Sequence, residues 1–400
     1  MNLSAKETTQ RPNDRYERHR LIEGFDQERL ALVDAIVIGA GAVGNEVIKN
    51  LALLGIGRMD IHDFDLIEIH NLTRSVLFHE GLVGRSKAEA AADACRNIDP
   101  NVTAQGFMGD FRDRLSVERV RAADAVICCV DNHEARIALN RLCLLAGTPL
   151  LNAAIDAWEV SAEIYPHTPT DAAACYECWI PSAIYESISA RYSCGGLRKA
   201  SIEQRRIPTT TLTSSIAGAS LVSLLLQHVC DLPTRRKFSV QSRSRLLSLT
   251  AEERMISRNP ACPACGIYGK LPVIIPCRAE SSPVGIYPTA QDEENELIFS
   301  EPIITGWLCS GCHQSHALLA RARDYDTSLT WCPECQAASR SVSIMDSATP
   351  SSLRALSGGR KLPLQFLYSP DSHPAFLLSF SNLMNDDAII FNKSTTTNTP

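Results

Sequence analysis

DAIVIGAGAVG, from Asp34 to Gly44, is the stretch that decides the fold of this chain. Its four consecutive apolar residues predict a short buried strand, and Gly39, Gly41 and Gly44 form a GxGxxG turn that opens a helix. Such a turn lets the backbone approach a phosphate at the positive end of the helix. Apolar residues then recur at helical spacing up to Gly55, which suits a left-handed helix end.

The alternation of strand and helix continues along the chain. Met59 to Asp63 predicts a second strand, Asp124 to Val130 a third and Thr148 to Asn152 a fourth. The periodic segment from His133 to Ala146 predicts the helix between the last two. Strands that alternate with helices form parallel sheets, so we predict an α/β fold with a Rossmann-like, mostly parallel sheet.

The composition excludes several classes of protein. An apolar fraction of 45% is enough to build a core, which excludes wholesale disorder and a disulfide-stapled miniprotein. The 39 basic residues are outnumbered by 45 acidic ones, and this balance argues against a nucleic-acid groove. The polar segment from Met1 to Asp14 has no apolar core of a secretory leader, so we predict a cytoplasmic protein.

One apolar stretch resembles a membrane span by length. Ile207 to Cys230 contains no Asp, Glu, Lys or Arg, but threonines, serines, Gln227 and His228 interrupt it. We therefore predict a buried helix from about Ser214 to Val229 and no membrane partner.

The cysteines indicate metal binding. Eight of the fifteen cysteines form four CxxC pairs, which in a reducing compartment are more often zinc ligands than disulfides. Cys309, Cys312, Cys332 and Cys335 have the spacing of a zinc ribbon. The pairs Cys175/Cys178 and Cys262/Cys265 are far apart in the sequence, and their spacing alone does not join them; Cys262/Cys265 with Cys309/Cys312 is an alternative. We expect His313 and His316 to be surface residues.

The chain changes character after Asp231, where a basic stretch is followed by short apolar runs separated by turn residues. The strand-sized runs are VIIPC, LIFS, IITGWLC, LTWC, LQFLY, AFLLSF and AIIF. We predict an N-terminal arm over 1–30, a Rossmann-like domain over 31–269, a β-rich zinc-ribbon domain over 270–392 and a flexible tail over 393–400.

Asp63 ends the predicted second strand, which is the first strand after the glycine turn. A carboxylate there is placed to bind the ribose hydroxyls of a nucleotide, although a solvated turn aspartate is the alternative. A dinucleotide dehydrogenase has the same two features, so they do not by themselves choose the cofactor.

Three further motifs carry a resemblance. They are DFDLIEIHNLTR from Asp63 to Arg74, GRSKAEAA from Gly84 to Ala91 and VDNHEARIALN from Val130 to Asn140. With them, the segment from Arg15 to Gly266 resembles the ThiF/MoeB/HesA-type adenylating enzymes, which activate ubiquitin-like proteins and the sulfur carriers of thiamin and molybdopterin synthesis. The resemblance implies attack by a carrier's C-terminal glycine carboxylate on the α-phosphate of ATP.

The resemblance also implies roles for single residues. Arg74 and Lys87 match the phosphate-contacting pair, and Asp131 matches the aspartate that positions Mg²⁺. Asn71 and Asn132 match polar supports. For Asp131 a plain structural role, as the cap of the following helix, is the alternative.

Two more implications concern assembly and zinc. Arg18 matches a basic residue that reaches into the partner subunit's ATP site, so a homodimer is implied, although Arg18 also fits a solvated basic arm. In relatives the equivalents of Cys175, Cys178, Cys262 and Cys265 form one closed, structural four-thiolate zinc site. Ser75 departs from the glutamine that many relatives carry after the arginine.

Cys194 is the candidate nucleophile. It lies in RYSCGGLRK, where Arg191, Arg198 and Lys199 favour the thiolate, and its position resembles the loop that carries the catalytic cysteine of thioester-forming relatives. An ordinary loop cysteine is the alternative. We expect Cys128, Cys129 and Cys143 to be buried fillers and regard Cys230, Cys277 and Cys95 as weaker rivals.

The resulting hypothesis is an ATP- and Mg²⁺-dependent enzyme with two structural Zn²⁺ ions. It adenylates the C-terminal glycine of a ubiquitin-like protein, holds the protein as a thioester on Cys194 and passes it to a conjugating partner. The alternatives are adenylation of a sulfur carrier for thiocarboxylate formation, an NAD(P)-dependent oxidoreductase, and a non-catalytic zinc-stapled scaffold.

Overall fold

The computed structural model describes residues 15–115, 117–167, 173–191, 209–230, 232, 238–265, 273–277, 297–321, 331–337, 340–348, 367–368, 375–377 and 388–392. Its main sheet has eight strands in the order β3-β2-β1-β4-β5-β6-β7-β8. The strands are β1 Asp34–Ile38, β2 Arg58–Asp63, β3 Thr103–Met108, β4 Ala125–Cys128, β5 Leu150–Ile155, β6 Glu159–Tyr165, β7 Val240–Arg245 and β8 Thr250–Met255.

The helices that accompany this sheet in the described residues are α1 Gln27–Leu30, α2 Ala42–Leu54, α3 Lys87–Ile98, α4 Phe111–Arg114, α5 Val117–Ala122, α6 His133–Ala146, α7 Ser182–Arg191 and α8 Thr211–Val229. Of these, α2, α6 and α8 were predicted from the sequence, and they begin and end close to the predicted positions. Helix α2 ends at Gly55 and α6 at Gly147, both in the left-handed conformation with φ of 75° and 71°. That conformation favours glycine, which is why Gly55 located the end of α2 in the sequence.

The first five strands in sheet order are parallel, and β6, β7 and β8 are antiparallel to their neighbours. The chain leaves β1 in one direction towards β2 and β3, and later returns on the other side of β1 as β4. The carboxyl ends of β1 and β4 therefore form the topological switch point, where open α/β sheets bind their ligands.

Each face of the sheet has its own apolar core. Residues of α2, α3 and α8 pack together on one face, with Val47, Leu51 and Leu221 fully buried. Residues of α4, α5, α6 and the turn Tyr176–Cys178 pack on the other, around Phe111 and Tyr176. A sheet buried on both faces explains why β1 and β4 are almost entirely apolar.

Helix α8 begins three residues before the predicted Ser214. Thr210 caps it, because the Thr210 hydroxyl accepts a hydrogen bond from the backbone N–H of Thr213. Among the described residues it is the one helix long and apolar enough to cross a membrane. Half of its most apolar window is buried, and it packs against α2, β5 and β6.

The antiparallel end of the main sheet was not predicted. Strand β8 forms the edge of the sheet, and all six of its side chains are exposed. Neither a run of apolar residues nor an alternation of apolar and polar residues marks it, since its strand conformation depends on pairing with β7.

Beyond Gly266 every described element is a strand, as predicted. These strands are β9 Val273–Cys277, β10 Leu297–Cys309, β11 Ser315–Arg321, β12 Arg340–Ala348, β13 Leu367–Tyr368, β14 Ala375–Leu377 and β15 Ala388–Asn392. Two corrections apply. LIFS and IITGWLC belong to the single strand β10, and the part of LTWC that the structure describes, Trp331–Cys332, is not in a strand and leads into the turn between Cys332 and Cys335.

Candidate functional site: a nucleotide crevice and two cysteine clusters

The glycine turn between β1 and α2 leaves open space for a ligand. Gly39 has φ of 94°, and a Cβ there would lie 2.8 Å from the carbonyl oxygen of Cys129. A Cβ on Gly44 would lie 1.9 Å from the carbonyl oxygen of Gly39, so both glycines are required by close backbone packing. A Cβ on Gly41 meets no atom within 4 Å, and Gly41 caps α2 without a side chain. Among the described residues, the start of α2 thus has space for a ligand beside Gly41, as a phosphate site requires.

Asp63 holds this turn in place. Its carboxylate accepts hydrogen bonds from the backbone N–H of Ala40 at 2.7 Å and of Asp65 at 2.8 Å. Burial raises the pKa of Asp63, and the two amides together with the Lys87 charge oppose that rise. Asp63 is therefore more than a solvated turn residue, and its proposed contact with a ribose stays a prediction.

Asn45, which no sequence pattern selected, ties the arginine motif to the glycine turn. Its side-chain amide donates to the carbonyl oxygens of Ala40 at 2.6 Å and Gly41 at 3.1 Å. Its Oδ1 accepts the backbone N–H of Leu77 at 2.9 Å, three residues after Arg74. Asn45 is fully buried. A polar residue at a core position of α2 was the available signal.

Lys87 is anchored by a carboxylate at the same edge of the sheet. Its Nζ lies 2.6 Å from Oδ2 of Asp65, and its backbone N–H donates to the carbonyl oxygen of Asp65 at 3.0 Å. The Lys87 side chain is only 10% exposed whereas that of Asp65 is 50% exposed. Asp65 lies inside the DFDLIEIHNLTR motif, but no local pattern singles it out from the other acidic residues there.

Arg74 and Asn71 lie on the segment between β2 and α3. Nη1 of Arg74 donates to the carbonyl oxygen of His70 at 2.9 Å, which folds the guanidinium back along its own turn. Asn71 is buried, and its Oδ1 accepts the backbone N–H of Glu68 at 2.9 Å. Asn71 thus supports the turn that carries Arg74, and its role beside a bound nucleotide stays a prediction.

Asn132, and not Asp131, caps helix α6. Oδ1 of Asn132 accepts the backbone N–H of Ala135 at 2.8 Å, so the alternative reading of Asp131 as a helix cap is wrong. Asp131 is exposed, and among the described residues its carboxylate contacts only Nδ2 of Asn132, at 3.3 Å. It follows β4 at the switch point and has no structural task that would keep it from binding a cation.

Arg18 lies far from this crevice in the same chain. Arg15 forms an ion pair with Asp99 at 2.9 Å, and a Cβ on Gly55 would collide with the ring of Tyr16. The arm therefore rests on the carboxyl ends of α2 and α3, about 20 Å along α2 from the glycine turn by the rise of a helix. Within the described residues Arg18 is exposed and has no ion-pair partner.

The first cysteine cluster is made by Cys175, Cys178, Cys262 and Cys265. All four are buried, and neighbouring Sγ atoms lie 3.4, 3.6 and 3.9 Å apart. Disulfides are excluded at these distances. A tetrahedral zinc with bonds of about 2.3 Å spaces its sulfurs by about 3.8 Å, so the cluster fits that ion. The hydrogen bond from the Cys175 thiol lowers the pKa of Cys262 to about 6.

The first cluster is bound closely to its surroundings. Glu177 lies between two ligands with 2% of its surface exposed, and its carboxylate accepts hydrogen bonds from Asn140, Arg141 and Tyr185. Cys175 and Cys178 are thereby attached to α6 through two residues and to α7 through a third.

The second cluster is made by Cys309, Cys312, Cys332 and Cys335. The Sγ pairs Cys309–Cys335 and Cys312–Cys332 are 3.5 and 3.6 Å apart, which again fits one tetrahedral ion. Each CxxC turn closes in the same way, since His313 donates its N–H to Cys309 and Gln336 donates its own to Cys332. The backbone N–H of Cys312 lowers the pKa of Cys309 to about 6. The alternative pairing of Cys262/Cys265 with Cys309/Cys312 is excluded.

One of the two histidines is closer to the second cluster than expected. Nε2 of His316 lies 3.5 Å from Sγ of Cys332, and its ring stacks on Trp307 with centroids 3.9 Å apart. His316 is therefore half-buried beside a ligand, whereas His313 is exposed.

Residues 15–264 match the ThiF family, which is well over half of the chain. This chain belongs to the ThiF family. The assignment explains why the three motifs between Asp63 and Asn140 occur together with the glycine turn.

Two relatives place the chain within the family. It is 35% identical over 170 residues to mouse "Adenylyltransferase and sulfurtransferase MOCS3", covering 42% of this chain and 36% of that protein. It is 30% identical over 260 residues to the "SAMP-activating enzyme E1" of Haloferax volcanii, covering 64% of this chain and 90% of that protein. The chain thus spans only about a third of the first relative's length.

The fold is also that of a solved structure. Escherichia coli MccB crystallised with ATP superimposes with a TM-score of 0.51 at 23% identity, covering 63% of this chain and 74% of that one. At this identity the comparison shows the fold alone.

Five further thiols of this ThiF-family chain are poor nucleophiles, because burial disfavours their thiolate forms. Burial raises the pKa of Cys95 to about 12 and also raises the pKa of Cys128, Cys129, Cys143 and Cys230. The prediction that Cys128 and Cys143 are buried is confirmed, and Cys129 is half-buried. Cys194 lies outside the described residues.

Proposed function

We propose that the chain uses ATP to adenylate the C-terminal glycine of a ubiquitin-like or sulfur-carrier protein. A carboxylate oxygen of the glycine attacks the α-phosphorus of ATP, the bond from that phosphorus to the bridging oxygen breaks, and pyrophosphate leaves. Two anions must approach each other in this step, so fixed cations and amide dipoles provide most of the stabilisation.

The observation that carries the proposal is the exposed carboxylate of Asp131 at the switch point that also holds the glycine turn. In the proposed site the first amides of α2 and the cations Lys87 and Arg74 bind phosphate oxygens. Asp131 would hold Mg²⁺, which neutralises phosphate charge when bound. An NAD(P)-dependent oxidoreductase would leave Lys87, Arg74 and Asp131 without a task.

The relatives support the same chemistry. Mouse MOCS3 is named an adenylyltransferase and sulfurtransferase, and the Haloferax protein is named an activating enzyme. Each cluster offers four cysteine sulfurs, which leave a tetrahedral zinc ion with no open coordination position for water. Such sites are structural. We therefore propose two structural Zn²⁺ ions.

Pyrophosphate exchange into ATP, measured with a panel of small proteins that end in glycine, tests the proposal. We expect exchange with at least one carrier and a loss of at least a hundredfold in Asp131→Ala, because transition-state charge would lack its metal. Asp156→Ala is the matched control, since Asp156 is an exposed aspartate that follows the neighbouring strand β5. Exchange that is absent with every carrier, or equal in both variants, would refute the assignment.

We also propose that Arg18 acts in the ATP site of a partner subunit. This part is supported by the position of the arm at the far end of α2 and by the exposed Arg18 side chain. Arg18→Ala and Asp131→Ala subunits should each be inactive alone. Random mixing should restore about a quarter of the wild-type activity, since half of the dimers then contain one complete site. No recovery would mean that Arg18 does not act in trans.

The fate of the acyl-adenylate separates the two candidate pathways. Thioester transfer to Cys194 predicts a thiol-labile carrier adduct that disappears in Cys194→Ser. Sulfur transfer, favoured by the sulfurtransferase name of the mouse relative, predicts a thiocarboxylated carrier, detected as a mass increase of about 16 Da.

We propose that residues 270–392 recruit the carrier or a conjugating enzyme. Their strand-rich character and their own cysteine cluster support a separate binding task. Chains that end at residue 269 should retain pyrophosphate exchange and lose transfer to the final acceptor. Transfer at the full rate would disprove this recruitment.

A further inference from the structure

Tyr176 and Glu177, the two residues between Cys175 and Cys178, contact helix α6 at two positions along its length. The hydroxyl of Tyr176 lies 2.8 Å from Nδ1 of His133, and its backbone N–H donates to Oδ1 of Asn140 at 3.1 Å. Glu177 accepts two hydrogen bonds from Arg141, at 3.0 and 2.8 Å. The metal-binding turn thus contacts the first turn of α6 and a second level two turns later, on one face of the helix.

The contact between Tyr176 and His133 lies at the end of α6 that adjoins the proposed nucleotide site. His133 is the first residue of α6, Asn132 is its cap, and Asp131 precedes the cap. Tyr176 is 1% exposed, and its ring packs edge-on against Tyr165 and Trp179 at 6.2 and 6.1 Å. Cys175 is thus connected to Asp131 by a short series of groups. Tyr176 follows Cys175 in the chain, its hydroxyl contacts His133, and His133 lies two residues after Asp131.

We propose that Tyr176 is a positioning residue that couples the first cysteine cluster to the nucleotide crevice. With metal bound, the Cys175–Cys178 turn is fixed and Tyr176 holds the first turn of α6, so that Asp131 is presented to Mg-ATP. The inference rests on the proposed nucleotide binding. Because coupling between two sites is reciprocal in binding free energy, bound Mg-ATP must also tighten metal binding at the first cluster, and we expect this to appear as a slower loss of metal.

The primary test measures zinc release from the full-length, zinc-loaded protein to a chromogenic chelator, with and without Mg-ATP. Cys312→Ser serves as the background, because it removes the second cluster and leaves one zinc to follow. We expect Mg-ATP to slow release about threefold to tenfold, the range of a single neutral hydrogen bond, and Tyr176→Phe to abolish this protection.

Tyr185→Phe is the matched control. Its hydroxyl also contacts the metal-binding turn, donating to Glu177 at 2.9 Å, but Tyr185 belongs to α7, and among the described residues its hydroxyl donates to no residue of α6. Protection by Mg-ATP should persist in this variant. Equal loss of protection in both variants, or full protection in Tyr176→Phe, would overturn the inference.

Direct titration with Mg-ATP separates this inference from the proposed function. A wild-type protein that binds no Mg-ATP refutes both. A protein that binds Mg-ATP but releases zinc at an unchanged rate refutes the coupling alone.

A kinetic readout distinguishes positioning from general stability. Tyr176→Phe keeps the buried ring, so we expect unchanged zinc content and melting temperature together with a threefold to tenfold higher KM for ATP in pyrophosphate exchange. His133→Ala should have a similar effect, and the double variant should be no worse than the stronger single one, since both break the contact between Tyr176 and His133. Additive effects would contradict a shared path.

Discussion

The two cysteine clusters have the same four ligands but different surroundings. The first is buried throughout and joins segments that are distant in the sequence, whereas the second joins segments that lie close together in the sequence and has an exposed Cys335. Glu177 between the first pair of ligands is buried in contacts with two helices, while Glu334 at the same place of the last pair is exposed. The same set of four cysteines thus joins distant segments through the core in the first cluster and holds a short surface segment together in the second.

Loss of the first metal should have the largest effect. Cys175→Ser opens a closed four-thiolate site, and such sites contribute on the order of 10 kcal/mol of apparent binding free energy to folding. We expect one zinc per chain, a lost or strongly lowered main unfolding transition and no pyrophosphate exchange. Cys312→Ser should also retain one zinc, with the main transition unchanged. Equal losses of stability in the two variants would remove the contrast between the clusters.

The paired glutamates provide a finer comparison. Glu177→Gln removes the buried charge that faces Arg141, and we expect a loss of about 2–3 kcal/mol in the free energy of unfolding. Glu334→Gln should leave that free energy unchanged because its side chain is solvated. Urea denaturation followed by tryptophan fluorescence measures both. A harmless Glu177→Gln would show that the first turn is held by its metal alone.

A pH effect on stability should arise in the main sheet, at His62 of β2. Burial lowers the pKa of His62 to about 4, and its ring stacks on Phe107 with both nitrogens unpartnered among the described residues. Folding favours the neutral ring, so the stability is present above the unfolded pKa and is lost as the pH falls towards 4.

Between pH 7 and pH 5 this group should cost about 2 kcal/mol. His62→Phe keeps the stacked ring and should show a smaller loss over the same interval, measured by urea denaturation at each pH. The same pH dependence in both proteins would mean that folding does not lower the pKa of His62.

The smallest effect should be a gain in the second region. Gln336 follows the last ligand with φ of 60°, a conformation that costs a side-chain-bearing residue about 1 kcal/mol relative to glycine. Gln336→Gly should therefore slow zinc release from the second cluster a few-fold and leave the first cluster unchanged. Faster release would show that the Gln336 side chain itself protects the site.

The parts of the fold that were predicted correctly depend on local sequence patterns. The glycine turn, the Gly55 helix end and helix His133–Ala146 depend on neighbours within one turn, so the pattern was sufficient. The roles of Asn45, Asp65 and Tyr176 depend on partners that are distant along the chain, and no local pattern reports such contacts. The joining of the first two CxxC pairs came from the resemblance, since spacing could not supply it.

Other differences have similar causes. Strand β8 was missed because both of its faces are solvated, which removes the alternation that marks a half-buried strand. The apolar and aromatic residues of LTWC are typical of a strand. The described Trp331 and Cys332 are not in a strand, however, and lead into the turn between Cys332 and Cys335.

Strand β8 also has a consequence for the behaviour of the protein at high concentration. An unpaired sheet edge is a template on which a second molecule can add its own strand and start an aggregate. Here Glu252, Glu253 and Arg254 follow one another along that edge, so any approaching copy would have to desolvate three charges. We therefore expect Glu252 and Glu253 to favour solubility by opposing strand addition at the β8 edge of the main sheet.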